Sequence, residues 1–135
     1  MNILRQDHTA LLVWDLERSR HFYREVLQME EVPGLGTIWL RSGSAEIHLL
    51  SLAEAHGDQT GAGRYHPLDL AEGHITHIAF QVEDLEQVQS HLGKHQIPIV
   101  CGPRPRGNDG EQLYICDPDG YVIELFTKTN QEKSQ

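Results

Sequence analysis

The chain has 135 residues and carries 11 basic and 20 acidic side chains, which give a formal net charge of −9. This length suits one domain with a single core, and an acidic chain without a Lys or Arg cluster is poorly matched to nucleic acid or a membrane surface. Because the N-terminus lacks the features of a leader and no stretch approaches the roughly 18 apolar residues of a membrane span, we expect a cytoplasmic protein.

The first part of the chain predicts a strand, a helix and two further strands. Residues 8–13 are rich in β-forming residues, and a helical period follows over residues 15–29, where Asp15 is suited to cap the helix. Residues 37–41 and 45–51 predict two short strands, because the Ser-Gly-Ser sequence between them favours a turn.

After a connection the same order begins again. Residues 53–73 are rich in glycine and have little periodicity, which predicts a long connection. A strand is predicted over residues 74–82, and Asp84 is suited to cap a helix that runs through Lys94.

Three short strands are predicted to complete the second half. They cover residues 97–100, 112–116 and 121–127, and the Gly- and Pro-rich residues 101–111 predict a loop. The Asp-Pro-Asp-Gly sequence at 117–120 predicts a tight hairpin turn, because Pro presets φ and Asp-Gly tolerates positive φ.

The two halves also repeat each other in sequence. Residues 8–17 are echoed by residues 77–86, with His, Val, Asp, Leu and Glu in register, and each half ends in a matching strand. The chain is therefore predicted to be an α+β domain of two tandem β-α-β-β-β modules that share one core. We place module 1 at about residues 6–52, the connection at 53–73, module 2 at about 74–127 and a polar tail at 128–135.

The repeat brings four chemically similar side chains into equivalent positions. It pairs His8 with His77, and His48 with Glu124. A carboxylate flanked by Ile123 and by another apolar residue is costly to bury without a cation or a strong donor beside it. A divalent metal ion satisfies all four groups, and the alternative is a cavity that keeps polar residues without binding a metal.

These residues lie in motifs that resemble those of the vicinal oxygen chelate superfamily, which includes glyoxalases, bleomycin resistance proteins and extradiol dioxygenases. The resemblance covers residues 6–127 and is specific for the superfamily rather than for one reaction. The motifs are the repeated His-x-apolar-x-x-Val-x-Asp-Leu pattern, Arg18-Ser19-x-x-Phe22-Tyr23, Thr76-His77-Ile78-Ala79-Phe80, and Asp117-Pro118-Asp119-Gly120-x-x-Ile123-Glu124-Leu125.

The resemblance implies a partly open mixed β-barrel with flanking helices, a homodimer, and one divalent metal ion that is Ni, Co, Zn, Mn or Fe. It implies His8, His48, His77 and Glu124 as the metal ligands. The chain departs from the glyoxalase pattern at His48, where a carboxylate is usual, and at Gln28, where a glycine is usual.

The expected substrate is a small molecule that chelates the metal through two neighbouring oxygens. Glyoxalase-like isomerisation, as in lactoylglutathione lyase, is slightly favoured, with Glu124 as the base that leaves the metal. In an extradiol Fe(II) dioxygenase His48 is instead an acid or base, and Tyr114 matches the tyrosine beside the metal. The 101–111 loop lacks the histidine usual in such dioxygenases, which counts against ring cleavage.

Arg104 and Arg106 are suited to hold a carboxylate or phosphate of the substrate, or are simply two solvated loop charges.

Two more classes of protein remain open at this point. Fosfomycin-type addition is a minor alternative, because the chain lacks the basic C-terminal extension usual in those enzymes. A metal-free protein that binds a drug or metabolite, like the bleomycin resistance proteins, is the alternative outside enzymes.

Overall fold

The computed structural model describes residues 1–34, 36–54 and 65–129. The chain divides into two compact units, Met1–Gly61 and Ala62–Gln135. Each unit contains one β-α-β-β-β module built on a four-stranded mixed sheet, so the predicted α+β class with two tandem modules is confirmed. In the described ranges no helix has the length and apolar character needed to cross a membrane.

The first unit contains a four-stranded sheet in the order β1-β4-β3-β2, in which β1 is parallel to β4 and the other pairs are antiparallel. A helix that ends in a π-helical turn connects β1 to β2. The elements are β1 (Thr9–Val13), α1 (Leu16–His21), the π-helical turn (Phe22–Val26), β2 (Glu30–Glu31), β3 (Ile38–Ser42), β4 (Ala45–Ser51) and a 3-10 turn (Leu52–Glu54).

The predicted start of α1 is confirmed, and its end differs. Asp15 is the N-cap, and its carboxylate accepts a hydrogen bond from the Arg18 backbone N–H at 3.1 Å. The helical run ends at Val26 rather than at residue 29, and Gln28 follows with a left-handed φ of 56°. Gln28 stands where the family resemblance leads us to expect a glycine. Glycine adopts a left-handed φ at a lower energetic cost than a residue with a side chain.

The second unit repeats the topology with the sheet order β5-β8-β7-β6, in which β5 is parallel to β8. Asp84 caps its longer helix as predicted, and its carboxylate accepts from the N–H groups of Glu86 and Gln87. The elements are α2 (Pro67–Glu72), β5 (Ile78–Gln81), α3 (Leu85–Lys94), β6 (Cys101–Pro105), β7 (Glu111–Cys116) and β8 (Val122–Phe126).

Three predictions about the second unit are wrong in detail. Strand β5 begins at Ile78, so residues 74–77 precede it. The strand predicted at 97–100 lies instead at Cys101–Pro105, inside the predicted loop, because strand identity here depends on backbone pairing with β7 and not on side-chain pattern. Helix α2 lies in the predicted connection; the remaining connection residues 55–64, with His56, and tail residues 130–135 lie outside the described residues.

The turn before β8 has the predicted form. The Asp117 carboxylate accepts from the N–H groups of Asp119 and Tyr121 at 2.9 and 2.8 Å, and its carbonyl accepts from Gly120 N–H at 3.0 Å. Gly120 has a φ of 93°, which glycine adopts readily. The turn sets the register of β7 against β8, and every residue of β8 is buried.

Candidate metal centre

The strand registers confirm that the two modules are equivalent at the residues of interest. His48 pairs with Ala10 on β1 and with Trp39 on β3, and Glu124 pairs with Ala79 on β5 and with Tyr114 on β7. His8 and His77 each stand two residues before the paired alanine of their own module. Each unit therefore places one histidine, one strand-centre ligand candidate and one aromatic side chain on equivalent positions.

In the second unit His77 and Glu124 are in direct contact. His77 Nε2 lies 3.0 Å from Glu124 Oε1, and His77 Nδ1 lies 2.8 Å from the backbone carbonyl oxygen of Ile75. The Ile75 carbonyl can only accept, so Nδ1 carries a proton and Nε2 is the nitrogen that faces the carboxylate. A histidine held in this way by a backbone carbonyl is oriented as metal ligands usually are.

Glu124 is buried, with 5% of its surface exposed, and both of its oxygens have partners. The Gln112 amide, oriented so that its nitrogen faces Glu124, donates to Oε2 at 2.8 Å and its oxygen accepts from Arg104 Nε at 3.2 Å. Arg106 Nε lies 3.4 Å from the same Oε2. The carboxylate is thus fixed in place by an amide and a guanidinium, as the cost of burying a charge requires.

Tyr114 stands beside this pair. Its ring lies 5.2 Å from the His77 ring in an edge-on arrangement, and it is the residue directly opposite Glu124 on β7. Burial raises the pKa of the Tyr114 phenol, the Glu124 charge adds to the rise, and the nearby Arg104 guanidinium opposes it. The phenol therefore stays protonated at neutral pH and is available as a hydrogen-bond donor.

The two arginines are not the solvated loop charges that the sequence allowed. Both are half-buried, and Arg104 is on β6. The Arg104 guanidinium carbon is 5.9 Å from the centre of the Tyr114 ring, and that of Arg106 is 4.0 Å from the centre of the Phe126 ring. The second unit thus gathers two guanidiniums, a phenol, an imidazole and a carboxylate around one face of β7 and β8.

The first unit gathers His8, His48 and Trp39. The Trp39 and His48 rings are stacked at 4.1 Å with an interplanar angle of 9°, and the His8 ring is 4.6 Å from Trp39 and 6.0 Å from His48. His8 Nδ1 lies 2.8 Å from the Asp7 carboxylate, which is the partner that commonly orients a metal-binding histidine.

His48 differs from the other two histidines in how its ring is held. Its Nε2 is 3.1 Å from the hydroxyl of Thr37, so this nitrogen already has a protein partner. Burial, and secondly the charge of His8, lower the pKa of His48 below its ordinary 6.5. The imidazole is therefore neutral at physiological pH and able to accept a proton.

Within the described ranges, no three His, Cys, Asp or Glu side chains lie close enough together to hold a metal ion. Each unit instead supplies a pair, His8 with His48 and His77 with Glu124. Sequence reasoning missed Thr37, Trp39 and Gln112, which support these pairs. The internal repeat relates these residues. Trp39 pairs with His48 as Tyr114 pairs with Glu124, and Thr37 and Gln112 each stand two residues before the aromatic residue of their own unit.

The chain belongs to the Glyoxalase/Bleomycin resistance protein/Dioxygenase superfamily, whose family pattern it matches over residues 5–125. The architecture and the paired histidines and carboxylate described above are consistent with that membership. Among curated relatives, the chain is 32% identical to the metallothiol transferase FosB of Staphylococcus epidermidis, over 100% of this chain and 89% of the relative.

Two further comparisons extend this result. The chain is 26% identical to the fosfomycin resistance protein FosX of Listeria monocytogenes, over 93% of this chain and 91% of the relative. Among solved structures, an integron cassette protein of Vibrio cholerae aligns with a TM-score of 0.74 and 28% identity, over 94% of this chain and 97% of that chain. The relatives include a metallothiol transferase and a manganese-dependent dioxygenase, so membership gives the class and leaves the reaction open.

Proposed function

We propose that this protein is a metal-dependent enzyme that adds a nucleophile, a thiol or water, to a small substrate bearing an acidic group. His8, His77 and Glu124 hold one divalent metal ion, and His48 handles the proton of the nucleophile. The observation that carries the proposal is the contact between His77 and the buried Glu124. The likeness to the metallothiol transferase FosB supports the choice of reaction.

The residues of the His77–Glu124 contact fit a metal ion. With Nδ1 donating to the Ile75 carbonyl, Nε2 of His77 faces the Glu124 carboxylate at 3.0 Å, so the two groups can bind one ion from neighbouring positions. Imidazole with carboxylate is a common ligand pair for Zn²⁺, Mn²⁺, Fe²⁺, Co²⁺ or Ni²⁺. The third ligand in this proposal is His8, because the internal repeat pairs it with His77 and its ring is oriented by Asp7.

When bound, the metal supplies Lewis acidity to an oxygen of the substrate. The protein side chains perform the other tasks. Arg104 and Arg106 neutralise the acidic group of the substrate, and Tyr114 donates its phenolic hydrogen bond to it. Neutral His48 accepts the proton of a thiol, the S–C bond forms as a C–O bond of the substrate breaks, and the proton returns to the released oxygen.

The environment of Glu124 favours addition over isomerisation. In a glyoxalase-like isomerase the carboxylate leaves the metal to act as the base, as the sequence led us to expect of this residue. Here both Glu124 oxygens are held, one against His77 and the other by Gln112 and Arg106, and the residue is 5% exposed. A carboxylate restrained in this way suits a permanent ligand better than a mobile base.

Glyoxalase-like isomerisation is the second candidate, and the state of His48 is what favours it. A neutral imidazole with a lowered pKa can serve as the base in place of Glu124. Extradiol oxidation and metal-free binding of a drug or metabolite rank below these two.

We also propose that the protein forms a homodimer and is located in the cytoplasm. Light scattering on the purified protein tests the dimer, and fractionation of the source cells tests the location.

The reaction is tested with purified protein reconstituted separately with Mn²⁺, Ni²⁺, Co²⁺, Zn²⁺ or Fe²⁺. Addition is measured with fosfomycin and a small thiol by ³¹P NMR. Isomerisation is measured with the hemithioacetal of methylglyoxal and glutathione. Oxidation is measured as O₂ uptake with a catechol. Metal-dependent turnover of fosfomycin or of a related phosphonate is the expected result. Turnover of the hemithioacetal alone contradicts the preference for addition over isomerisation. Unchanged activity after Glu124→Gln contradicts the metal site.

A further inference from the structure

We propose that the C-terminus of α2, with Gly73 at its end, is the element that positions Arg104 for binding an acidic group. The inference rests on the proposed function only for the role of the bound anion. The positioning itself concerns contacts within the second unit, and neither Gly73 nor Glu72 belongs to the residues assigned above.

The end of α2 leaves one backbone acceptor for Arg104. Gly73 N–H bonds to the Leu70 carbonyl at 3.1 Å, and His74 N–H bonds to the Asp69 carbonyl at 2.9 Å, which is the Schellman arrangement. The Glu72 carbonyl lies outside these two bonds and accepts a hydrogen bond from Arg104 Nη2. A guanidinium is a favourable partner for a carbonyl at a helix C-terminus.

Gly73 is the residue that permits this contact. Its φ of 71° is left-handed, and a Cβ built at this position comes within 2.7 Å of Arg104 Nη2 and 2.9 Å of Tyr114 Cε2. Real Cβ atoms do not approach so closely, so any other residue displaces either the guanidinium or the phenol ring. The absence of a side chain at Gly73 therefore leaves the space that Arg104 and Tyr114 occupy.

Helix α2 is itself anchored to the sheet that carries the arginine. The half-buried Leu70 of α2, with Tyr65 and Ile75 on either side of the helix, packs against a cluster of buried residues on β6, β7 and β8. These are Cys101, Tyr114 and Val122. The helix that contacts Arg104 is therefore packed on the same sheet that carries Arg104.

Arg104 is also linked, through Gln112, to Glu124, the carboxylate of the candidate metal centre. Arg104 Nε donates to the Gln112 amide oxygen at 3.2 Å, and the amide nitrogen donates to Glu124 Oε2 at 2.8 Å. The bonds to Gln112, Glu72 and the Tyr114 hydroxyl use part of the guanidinium's five N–H groups, and the rest remain for an anion. Arg104 is thus preorganised on both sides, which reduces the entropy lost when an anion binds.

The test compares Gly73→Ala with Gly34→Ala, since Gly34 also has a left-handed φ, 82°, but a Cβ added there meets nothing within 4 Å. Both variants carry the strain of a left-handed alanine, and only Gly73→Ala meets Arg104 and Tyr114. Gly73→Asn separates strain from crowding, because Asn tolerates this backbone yet still has a Cβ. Leu70→Ala loosens α2 without a change at Gly73, in case Gly73→Ala does not fold.

Two readouts are measured on each variant. The ¹⁵N–Hε NMR resonance of Arg104 in metal-free protein reports its order, and calorimetric titration of metal-loaded protein with inorganic phosphate reports anion affinity. We expect Gly73→Ala, Gly73→Asn and Leu70→Ala to shift and broaden the resonance and to weaken phosphate binding about tenfold, as loss of one charge-assisted contact implies. Gly34→Ala should behave as the unaltered chain, and Arg104→Gln should show the full loss.

The outcomes separate the inference from the proposed function. An Arg104 resonance that is unchanged in Gly73→Ala and Leu70→Ala overturns the positioning role, whatever the activity. A resonance that changes as expected in a protein that binds neither metal nor phosphate supports the positioning role and contradicts the proposed function. Phosphate affinity that is retained in Gly73→Ala while Arg104→Gln loses it also overturns the inference.

Discussion

The imidazole of His77 and the carboxylate of Glu124 lie 3.0 Å apart, and the His77 ring is fixed from its other side by the backbone carbonyl of Ile75. The carboxylate is in turn held by Gln112 and Arg106. Each group is therefore oriented by a partner other than the one it faces. A preorganised pair of this kind binds a metal without first paying to order its ligands.

Replacement of Glu124 by Gln should weaken metal binding at least about 100-fold, because a neutral amide is a poor ligand and no longer balances the cation. The amide has nearly the same shape as the carboxylate, so the fold should be retained. Calorimetric titration with Zn²⁺ or Ni²⁺ measures the loss. The matched control is Glu111→Gln, which removes an exposed carboxylate at the start of β7 and should leave metal affinity within about twofold. Equal affinities for the two variants would contradict the assignment of Glu124.

Metal binding should quench the fluorescence of Trp39. The indole stacks on His48 at 4.1 Å and contacts His8 at 4.6 Å, so a Co²⁺ or Ni²⁺ ion bound by His8 lies within quenching range. The only other tryptophan, Trp14, is 65% exposed. A Trp14→Phe background therefore isolates the Trp39 signal, which should fall on titration with metal. If His8→Ala in the same background quenches equally, His8 is not a ligand.

Gln28→Gly should stabilise the protein by about 0.5–1 kcal/mol, since the strain of a left-handed residue exceeds the extra chain entropy of glycine. Gln28 has a φ of 56° just after the helical turn. The control is Gln87→Gly in the exposed face of α3, where the same substitution should destabilise by about 1 kcal/mol. Urea unfolding of the three proteins gives both differences. A destabilising Gln28→Gly would indicate that the Gln28 side chain has a compensating contact.

The Asp109–Thr129 contact should make stability depend on pH in the acid range. The Asp109 carboxylate accepts from the Thr129 hydroxyl at 2.8 Å and from its N–H at 2.7 Å, and these bonds hold the pKa of Asp109 below its ordinary 3.8. The unfolded chain therefore binds the proton more readily, so the stabilisation is present above pH 3.8 and is lost as the pH falls through the lower, folded value.

Thr129→Val removes the hydroxyl and keeps the shape of the side chain. The Asp109 pKa, followed by carboxyl ¹³C NMR, should then rise toward its ordinary value. Wild-type and variant unfolding free energies should differ above about pH 4 and converge as the pH falls below it. A constant difference across this range would mean that the hydroxyl acts on stability without acting through Asp109.

The repeat made the architecture predictable from the chain alone. Because β-strands alternate faces and both modules share the His-x-apolar pattern, the sequence was sufficient to pair His8 with His77 and His48 with Glu124, and the strand registers agree. The capped starts of α1 and α3 were equally predictable, since a cap is a local interaction between an Asp side chain and the next turn.

Strand β6 and helix α2 were not predictable in the same way. Residues 101–105 contain Gly and Pro and resemble a loop, yet they pair with β7 through backbone hydrogen bonds that no side-chain pattern encodes. Helix α2 is short and gains its stability from Leu70 packing on the sheet, so its own sequence signal is weak. Both elements depend on residues far away in the chain.

The sequence by itself determined which residues are chemically competent: three histidines, one carboxylate, a tyrosine and two arginines, most of them at positions related by an internal repeat. Only the tertiary structure decided how each is held. In the fold, the Ile75 carbonyl accepts a hydrogen bond from His77 and the Thr37 hydroxyl contacts the His48 ring. Gln112 forms hydrogen bonds with both Arg104 and Glu124. The physical reason is that residue type sets what a group can do, whereas hydrogen-bond partners and burial, which come from the folded surroundings, set its protonation state and its freedom to move.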